Sequence, residues 1–225
     1  MQISALLRQL AEGGWVQLDG TAASPEVPTS LLPDGPGVVI SSGGSSGGRR
    51  RCLQPLVHLD YSAAATGSWL GSIGIDPSAC LVLNPLPMHH VSGLMPWWRS
   101  RCWGSTHVPL DPNLLKQPSQ LLPFCCELKG WDERPIVLSL VPTQLGRLLA
   151  DPHGRAWLQA CSVIWVGGAA LAPGMAQQAR AAEIRLSPCY GATETAAMVA
   201  ALPPDRFLAG AVSYTHLRAH ETESN

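Results

Sequence analysis

The sequence predicts an α/β domain: mostly parallel sheets flanked by helices. Three observations predict it. Short apolar runs rich in β-branched residues recur along the chain, each run closes on Gly, Pro, Ser or Asn, and stretches of helical character lie between them. Hydrophobic residues make up 46% of the chain and charged residues 14%, a core-forming composition rather than a disordered one. At 225 residues the chain suits one large domain or two small ones.

Taken in order, residues 3–12 read as a short helix, because Ile3, Leu6, Leu7 and Leu10 recur at helical spacing. Residues 20–36 carry Pro25, Pro28, Pro33 and Pro36 and read as loop. The first strand signal is Gly37-Val38-Val39-Ile40. The next is Cys80-Leu81-Val82-Leu83, followed by Ile136-Val137-Leu138-Ser139-Leu140 and Val163-Ile164-Trp165-Val166. Runs this short and this apolar suit strands buried on both faces. Helix-like stretches at 60–73, 92–103, 142–150 and 172–182 separate them, and no internal repeat is visible.

Several function classes are disfavoured at this level. A net charge of −1 offers no basic surface for nucleic acid. Apolar stretches are interrupted well short of a membrane span. Glu12 and Asp19 interrupt the N-terminal stretch, which lacks the long apolar run of a signal peptide. The seven cysteines are scattered, odd in number and free of C-x-x-C spacing. They suggest small apolar residues in a reducing, cytoplasmic setting rather than disulfides or zinc ligands.

In a parallel sheet the chemistry sits on loops at the carboxyl ends of the strands. After Val38-Val39-Ile40 comes Ser41-Ser42-Gly43-Gly44-Ser45-Ser46-Gly47-Gly48-Arg49-Arg50-Arg51. Glycines let backbone N–H groups approach a phosphate, serine hydroxyls donate to it, and arginines neutralise it. A Gly/Ser linker is the bland alternative. The direct junction with a strand and the three arginines favour phosphate binding. A Walker A motif fails because Arg49 and Arg50 stand where Lys and Ser/Thr are required, and the Rossmann fingerprint fails at Ser42.

The loop resembles the phosphate loop of the adenylate-forming superfamily, the acyl-CoA synthetases, luciferases and peptide-synthetase adenylation domains, which reads approximately T-S-G-T-T-G-x-P-K. Ser42, Gly44, Ser45, Ser46, Gly47 and Arg50 would then hold nucleotide phosphates, with Gly43, Arg49 and Arg50 departing from the family wording. Three later segments resemble the same superfamily in its own order. Leu86-Pro87-Met88-His89-His90-Val91-Ser92-Gly93 resembles P-L-x-H-x-x-G, which makes His90 the histidine bordering the acid pocket. Taken alone, His90 reads as a satisfied histidine at a helix start capped by Ser92. Gly167-Gly168-Ala169 belongs to a segment resembling the turn that lies against adenine, although glycines suit any strand-to-helix turn. Tyr190-Gly191-Ala192-Thr193-Glu194 matches Y-G-x-T-E at every fixed position. An aromatic ring can stack on adenine, a threonine can donate to a phosphate oxygen, and a carboxylate is a hard ligand for Mg²⁺.

The resemblance implies a two-step reaction. A small-molecule carboxylic acid attacks ATP to give an acyl-adenylate and pyrophosphate, and CoA then displaces AMP. It implies ATP, Mg²⁺ and CoA, with His90, Thr193 and Glu194 as catalytic residues and Glu194 as metal ligand. The wording of the loop and of His90-Val91-Ser92-Gly93-Leu94-Met95-Pro96-Trp97-Trp98-Arg99 looks most like o-succinylbenzoate–CoA ligases of cyanobacterial type, which act in menaquinone or phylloquinone synthesis. Arg99 or Arg101 would meet a dicarboxylate, or else be solvated helix charges. Trp97, Trp98 and Trp103 read as packing residues.

Other acyl- or aryl-CoA synthetases, a degenerate P-loop NTPase and a non-catalytic nucleotide binder remain open at this stage, and nothing indicates an oligomeric state. Family members continue into an aspartate for the ribose hydroxyls, a hinge, and a C-terminal domain bearing a catalytic lysine. Lys116 and Lys129, the only lysines, do not match that residue. The expectation is therefore a partial, large N-terminal domain over residues 1–211, inactive as it stands, with the C-terminal domain absent. Residues 212–225, resembling translated adapter sequence, are expected to be a non-native or disordered tail.

Overall fold

The computed structural model describes residues 10–18, 26–42, 50–211 and 215–216. The expected α/β architecture is observed, in two sheets. The smaller joins β1 (Trp15–Leu18), β2 (Gly37–Ser42) and β3 (Arg50–Pro55) in that order, β1 parallel and β3 antiparallel to β2. The larger contains β4 (Leu81–Asn84), β5 (Thr106–Pro109), β6 (Ile136–Leu140), β7 (Val163–Val166), β8 (Leu186–Ala192), β9 (Ala197–Ala201) and β10 (Thr215–His216). Its order is β10-β9-β8-β7-β6-β4-β5, parallel from β5 to β8 and antiparallel at β9 and β10.

Alternation along the parallel strands builds two cores. Leu81, Leu83, Leu138, Leu140, Ile164 and Val166 point to one face, and Val82, Val137, Val163 and Trp165 point to the other. Both faces are covered, which is why these runs read as continuously apolar. The first face receives α3 (Pro118–Cys126), α4 (Pro142–Leu149), α5 (Pro152–Gln159), α6 (Pro173–Ala181) and α7 (Pro204–Leu208) through Leu121, Leu145, Trp157, Ala179 and Phe207. Two helices serve the other face: α1 (Leu56–Ser72) and α2 (Val91–Trp103). Trp69 and Leu70 of α1 pack on the large sheet, while Leu59 and Ala63 join Val38 and Ile40 of the small one. The pair α1–α2 is thus sandwiched between the sheets, with Trp97 and Trp98 buried in the layer facing the small sheet.

All four strand signals appear where the sequence places them, and the four expected helices lie within a few residues of expectation. Other elements escape a sequence reading for identifiable reasons. Strand β3 is polar and mostly half-exposed. Strand β8 contains Pro188 and Gly191, and α3 contains Pro118 and Pro123. Three cysteines are buried (Cys80, Cys125, Cys161), two are half-buried and two exposed, so fewer than expected are core residues, while all seven are free thiols. Most of residues 3–12 and of 212–225 lie outside the described residues, although Thr215–His216 pair with Ala201 and Ala200.

Candidate active site

The β2–β3 hairpin carries the Gly/Ser loop. Its last register pair is Ser42↔Arg50, and the Ser42 hydroxyl donates to the Arg50 carbonyl at 3.4 Å. Ser42 is buried and Arg50 exposed. Residues 43–49, which include Gly44, Ser45, Ser46 and Gly47, lie outside the described residues.

A tight corner closes the Tyr190–Glu194 segment. Tyr190 presents its ring to solvent at 67% exposure, available for stacking. A bulge falls between Tyr190 and Gly191, and a Cβ at Gly191 would stand 2.0 Å from the Ala197 carbonyl oxygen. Only glycine fits that approach. Thr193–Thr195 form a 3₁₀ turn, closed by the Thr195 hydroxyl, which accepts from Ala192 N–H at 3.0 Å and donates to the Ala197 carbonyl at 2.7 Å. Ala196 and Ala197 follow at φ +50° and +86°, the left-handed region that costs a residue with a Cβ. Ser62 of α1 holds this strained pair by donating to the Ala196 carbonyl at 2.7 Å. Gly191→Ala is expected to cost about 1–3 kcal/mol through overpacking. Its thermal midpoint should fall by roughly 2–12 °C, and calorimetry checks this.

The turn reaches back to the hairpin. Gln54, at the end of β3 and 1% exposed, donates from Nε2 to the Thr193 carbonyl at 2.6 Å. The Cys52 thiol lies 3.6 Å from the same oxygen. Burial pushes the Cys52 thiol up, and the nearby Glu194 carboxylate adds to this. Glu194 is exposed and lines an open cleft of about 300 Å³ with Gln54, His58 and Tyr61.

Gly167-Gly168-Ala169 follow β7, neighbour of β8 in register Val166↔Pro188. The turn and Tyr190 therefore lie at the carboxyl ends of adjacent parallel strands. Gly168 and Ala169 are exposed, open to a flat ligand.

His90 lies on the same edge, after β4, where the sheet order switches direction between β5 and β6. It occupies the N-cap position of α2, which begins at Val91; Ser92 is inside the first turn rather than its cap, correcting that alternative. Asn84 organises this corner. Its side chain, 4% exposed, accepts from Leu86 N–H at 3.2 Å, donates to the Gly93 carbonyl at 2.8 Å and pairs with His107 Nε2 at 3.1 Å. A Cβ at Gly93 would stand 2.2 Å from the Pro87 carbonyl oxygen, so glycine lets the helix sit on its own entry loop. Burial lowers the His107 imidazole from 6.5 to about 4. Between those values the unfolded chain takes up a proton that the folded chain refuses. Stability is accordingly full above about pH 6.5 and falls as pH drops towards 4. His107→Gln should flatten that fall in thermal melts taken across the window.

Beneath this edge lies Arg99. It is 3% exposed, corrects the solvated-charge alternative for this residue, and stacks 5.4 Å from the Trp165 ring centroid. Its Nε and Nη2 have no hydrogen-bond partner among the described protein atoms, nor has the buried Ser187 hydroxyl. Burial lowers the guanidinium to about 10, so it stays charged at neutral pH. A buried cation with two N–H-bearing nitrogens unpaired is costly. Arg101 is exposed and lies over Trp98.

Among the described residues no three His, Cys, Asp or Glu side chains form a cage for a metal ion. Glu194 nevertheless suits Mg²⁺, which is commonly held by one or two carboxylates plus substrate phosphates and water. Sequence reasoning missed Gln54, Ser62, Asn84 and His107. Each acts through a tertiary hydrogen bond, and no local pattern announces such a partner.

The family model for AMP-binding enzymes matches residues 9–217. Over 164 residues the chain is 28% identical to a Mycobacterium tuberculosis protein named "Probable 2-succinylbenzoate--CoA ligase", covering 73% of this chain and 40% of that one. It is 37% identical over 124 residues to the 2-succinylbenzoate–CoA ligase of Escherichia coli K12, covering 55% of this chain and 24% of that protein. The fold matches the o-succinylbenzoate coenzyme A synthetase of Bacillus subtilis solved with AMP, at TM-score 0.57 and 21% identity, over 76% of this chain and 33% of that one. The same enzyme, solved with ATP and magnesium ion, matches at TM-score 0.56. The chain thus spans well under half the length of these relatives.

Proposed function

Because the chain belongs to the AMP-binding enzyme family, we propose that it forms the nucleotide- and acid-binding part of an AMP-forming acid–CoA ligase, with o-succinylbenzoate as the acid. The observation that carries the reading is the junction of the Gly/Ser hairpin with the Thr193–Thr195 turn, tied by Gln54 at 2.6 Å. A phosphate-binding loop and a magnesium-ligating carboxylate must meet at the same triphosphate, and these two segments are 139 residues apart in sequence.

In this reading the loop amides, Ser42, Ser45, Ser46 and Arg50 hold the phosphates. Tyr190 stacks on adenine, against the backbone of Gly167, Gly168 and Ala169. Thr193 donates to a phosphate oxygen, and Glu194 holds Mg²⁺. The metal, when bound, neutralises phosphate charge and polarises the reacting phosphoryl group. The first step joins two anions, so positioning and charge neutralisation by these residues supply most of the catalysis. His90 borders the acid. Arg99 is the candidate partner of the acid's second carboxylate: its Nε and Nη2 lack a hydrogen-bond partner among the described protein atoms but are closed to solvent, so a carboxylate reaches them only if the packing of α2 on Trp165 opens. CoA then takes the acyl group from the adenylate. The free thiols fit a reducing, cytoplasmic setting. Among the described residues no helix is long and apolar enough to cross a membrane.

The test has two arms. Residues 1–225 are mixed with ATP with and without magnesium. Magnesium-stimulated ATP binding to the same chain, followed by calorimetry, should be present. Its absence would overturn the nucleotide-site assignment. In an enzyme that contains this chain, Arg99→Met should raise KM for o-succinylbenzoate by about tenfold or more, with KM for ATP nearly unchanged. An unchanged acid KM would remove Arg99 from the acid pocket.

A further inference from the structure

Gln54 is buried to 1% exposure on a strand that is otherwise mostly half-exposed. A strand at the rim of a polar site gains nothing from burying an amide unless that amide has work for both its donors and its acceptor. Gln54 has. The Thr193 carbonyl can only accept, so the amide nitrogen faces it at 2.6 Å. The second N–H points to the Cys52 sulfur at 3.3 Å. The Oε1 then faces His58 Nδ1 at 3.3 Å, which fixes that ring nitrogen as a donor. One side chain therefore links three elements: the strand leaving the Gly/Ser loop, the first turn of α1, and the turn that carries Glu194.

We infer that Gln54 is a positioning residue that sets the distance between the phosphate-binding hairpin and the magnesium ligand Glu194, acting through the Thr193 main chain. This rests on the nucleotide reading above. The physical reason is leverage. Thr193 and Glu194 are consecutive, so an anchor on the Thr193 carbonyl determines where the next residue's carboxylate can reach. The turn's own hydrogen bonds, through Thr195, are internal to it, and its side-chain ties to the hairpin are Gln54 Nε2 and, longer and weaker, the Cys52 thiol, both on the Thr193 carbonyl. Ser62 holds the far end at Ala196, from the middle of α1. Gln54 is the near-end tie, and with Ser62 it makes a two-point mounting for the metal-binding turn. Its contribution should show when the nucleotide would engage both the hairpin and, with Mg²⁺ present, Glu194, and should be small for nucleotide bound without metal.

The experiment uses the 225-residue chain and compares wild type with Gln54→Met, similar in size but without a donor, and with His58→Ala, which removes only the partner of Oε1. ATP binding is measured calorimetrically across a magnesium titration and again in EDTA, with melting temperatures recorded alongside. Gln54→Met is expected to raise the magnesium concentration for half-maximal stimulation by about tenfold while metal-free affinity stays within about twofold. His58→Ala should shift the same midpoint by less than about threefold. Gln54→Glu keeps the shape but removes the donor at neutral pH, and should regain part of the lost magnesium sensitivity as its carboxyl protonates. A purely structural glutamine would lower the melting temperature and weaken binding equally with and without metal. That result, or an unmoved magnesium midpoint in Gln54→Met, overturns the inference while leaving the nucleotide site standing. A wild-type chain without magnesium-stimulated binding overturns both.

Discussion

Glu194→Gln, in an enzyme that contains this chain, should lower magnesium-dependent adenylate formation by about a hundredfold. An amide is a neutral, weaker ligand, and losing a charge-assisted interaction costs on the order of 2–3 kcal/mol. The effect is expected to be functional rather than structural. Glu194 is exposed on a turn whose internal hydrogen bonds come from Thr195, so the melting temperature should move little. ATP–pyrophosphate exchange measured against magnesium concentration separates the two. A variant with wild-type rate and wild-type magnesium dependence would remove Glu194 from the metal.

The second large effect concerns the arginines after the loop. Arg50→Ala alone should reduce ATP–pyrophosphate exchange by about one decade at saturating acid, and the combined replacement of Arg49, Arg50 and Arg51 by about two. Neighbouring cations can stand in for one another, which puts the single variant at the low end. The register supports the choice of Arg50: it pairs with the buried Ser42 at the last rung of the hairpin and is itself exposed, directly beside the loop. A flexible linker predicts no change for any of the three. Wild-type exchange in the triple variant would defeat the phosphate-loop assignment.

Much of the fold was legible because this kind of sheet writes itself into the sequence. Strands β4, β6 and β7 are buried on both faces, so Leu81–Leu83, Ile136–Leu140 and Val163–Val166 stand out as apolar runs. Strands with one wet face or a special corner were not legible. Arg50–Pro55 pairs with β2 yet presents Arg, Cys, Leu and Gln in a sequence with no clear period, and its role emerges from the Ser42↔Arg50 register. The motifs at the carboxyl edge were legible as words, since Tyr190, Gly191, Thr193 and Glu194 need no tertiary information to be recognised. Arg99 shows the limit. On the sequence it was either a substrate contact or a solvated helix charge, and burial against Trp165 removed the second option.

By itself the sequence determined the fold class, the order of the four motif segments and the residue types on them, because strand burial and short-range motif chemistry are local properties of the chain. Only the tertiary structure decided how those segments are mounted. Gln54 holds Thr193 across 139 residues and Ser62 holds Ala196 across 134, while Asn84 joins Gly93 and His107 beneath His90. A hydrogen bond between distant residues depends on where two backbones come to rest, and that position is set by the packing of α1 and α2 between the sheets, not by any pattern near either residue.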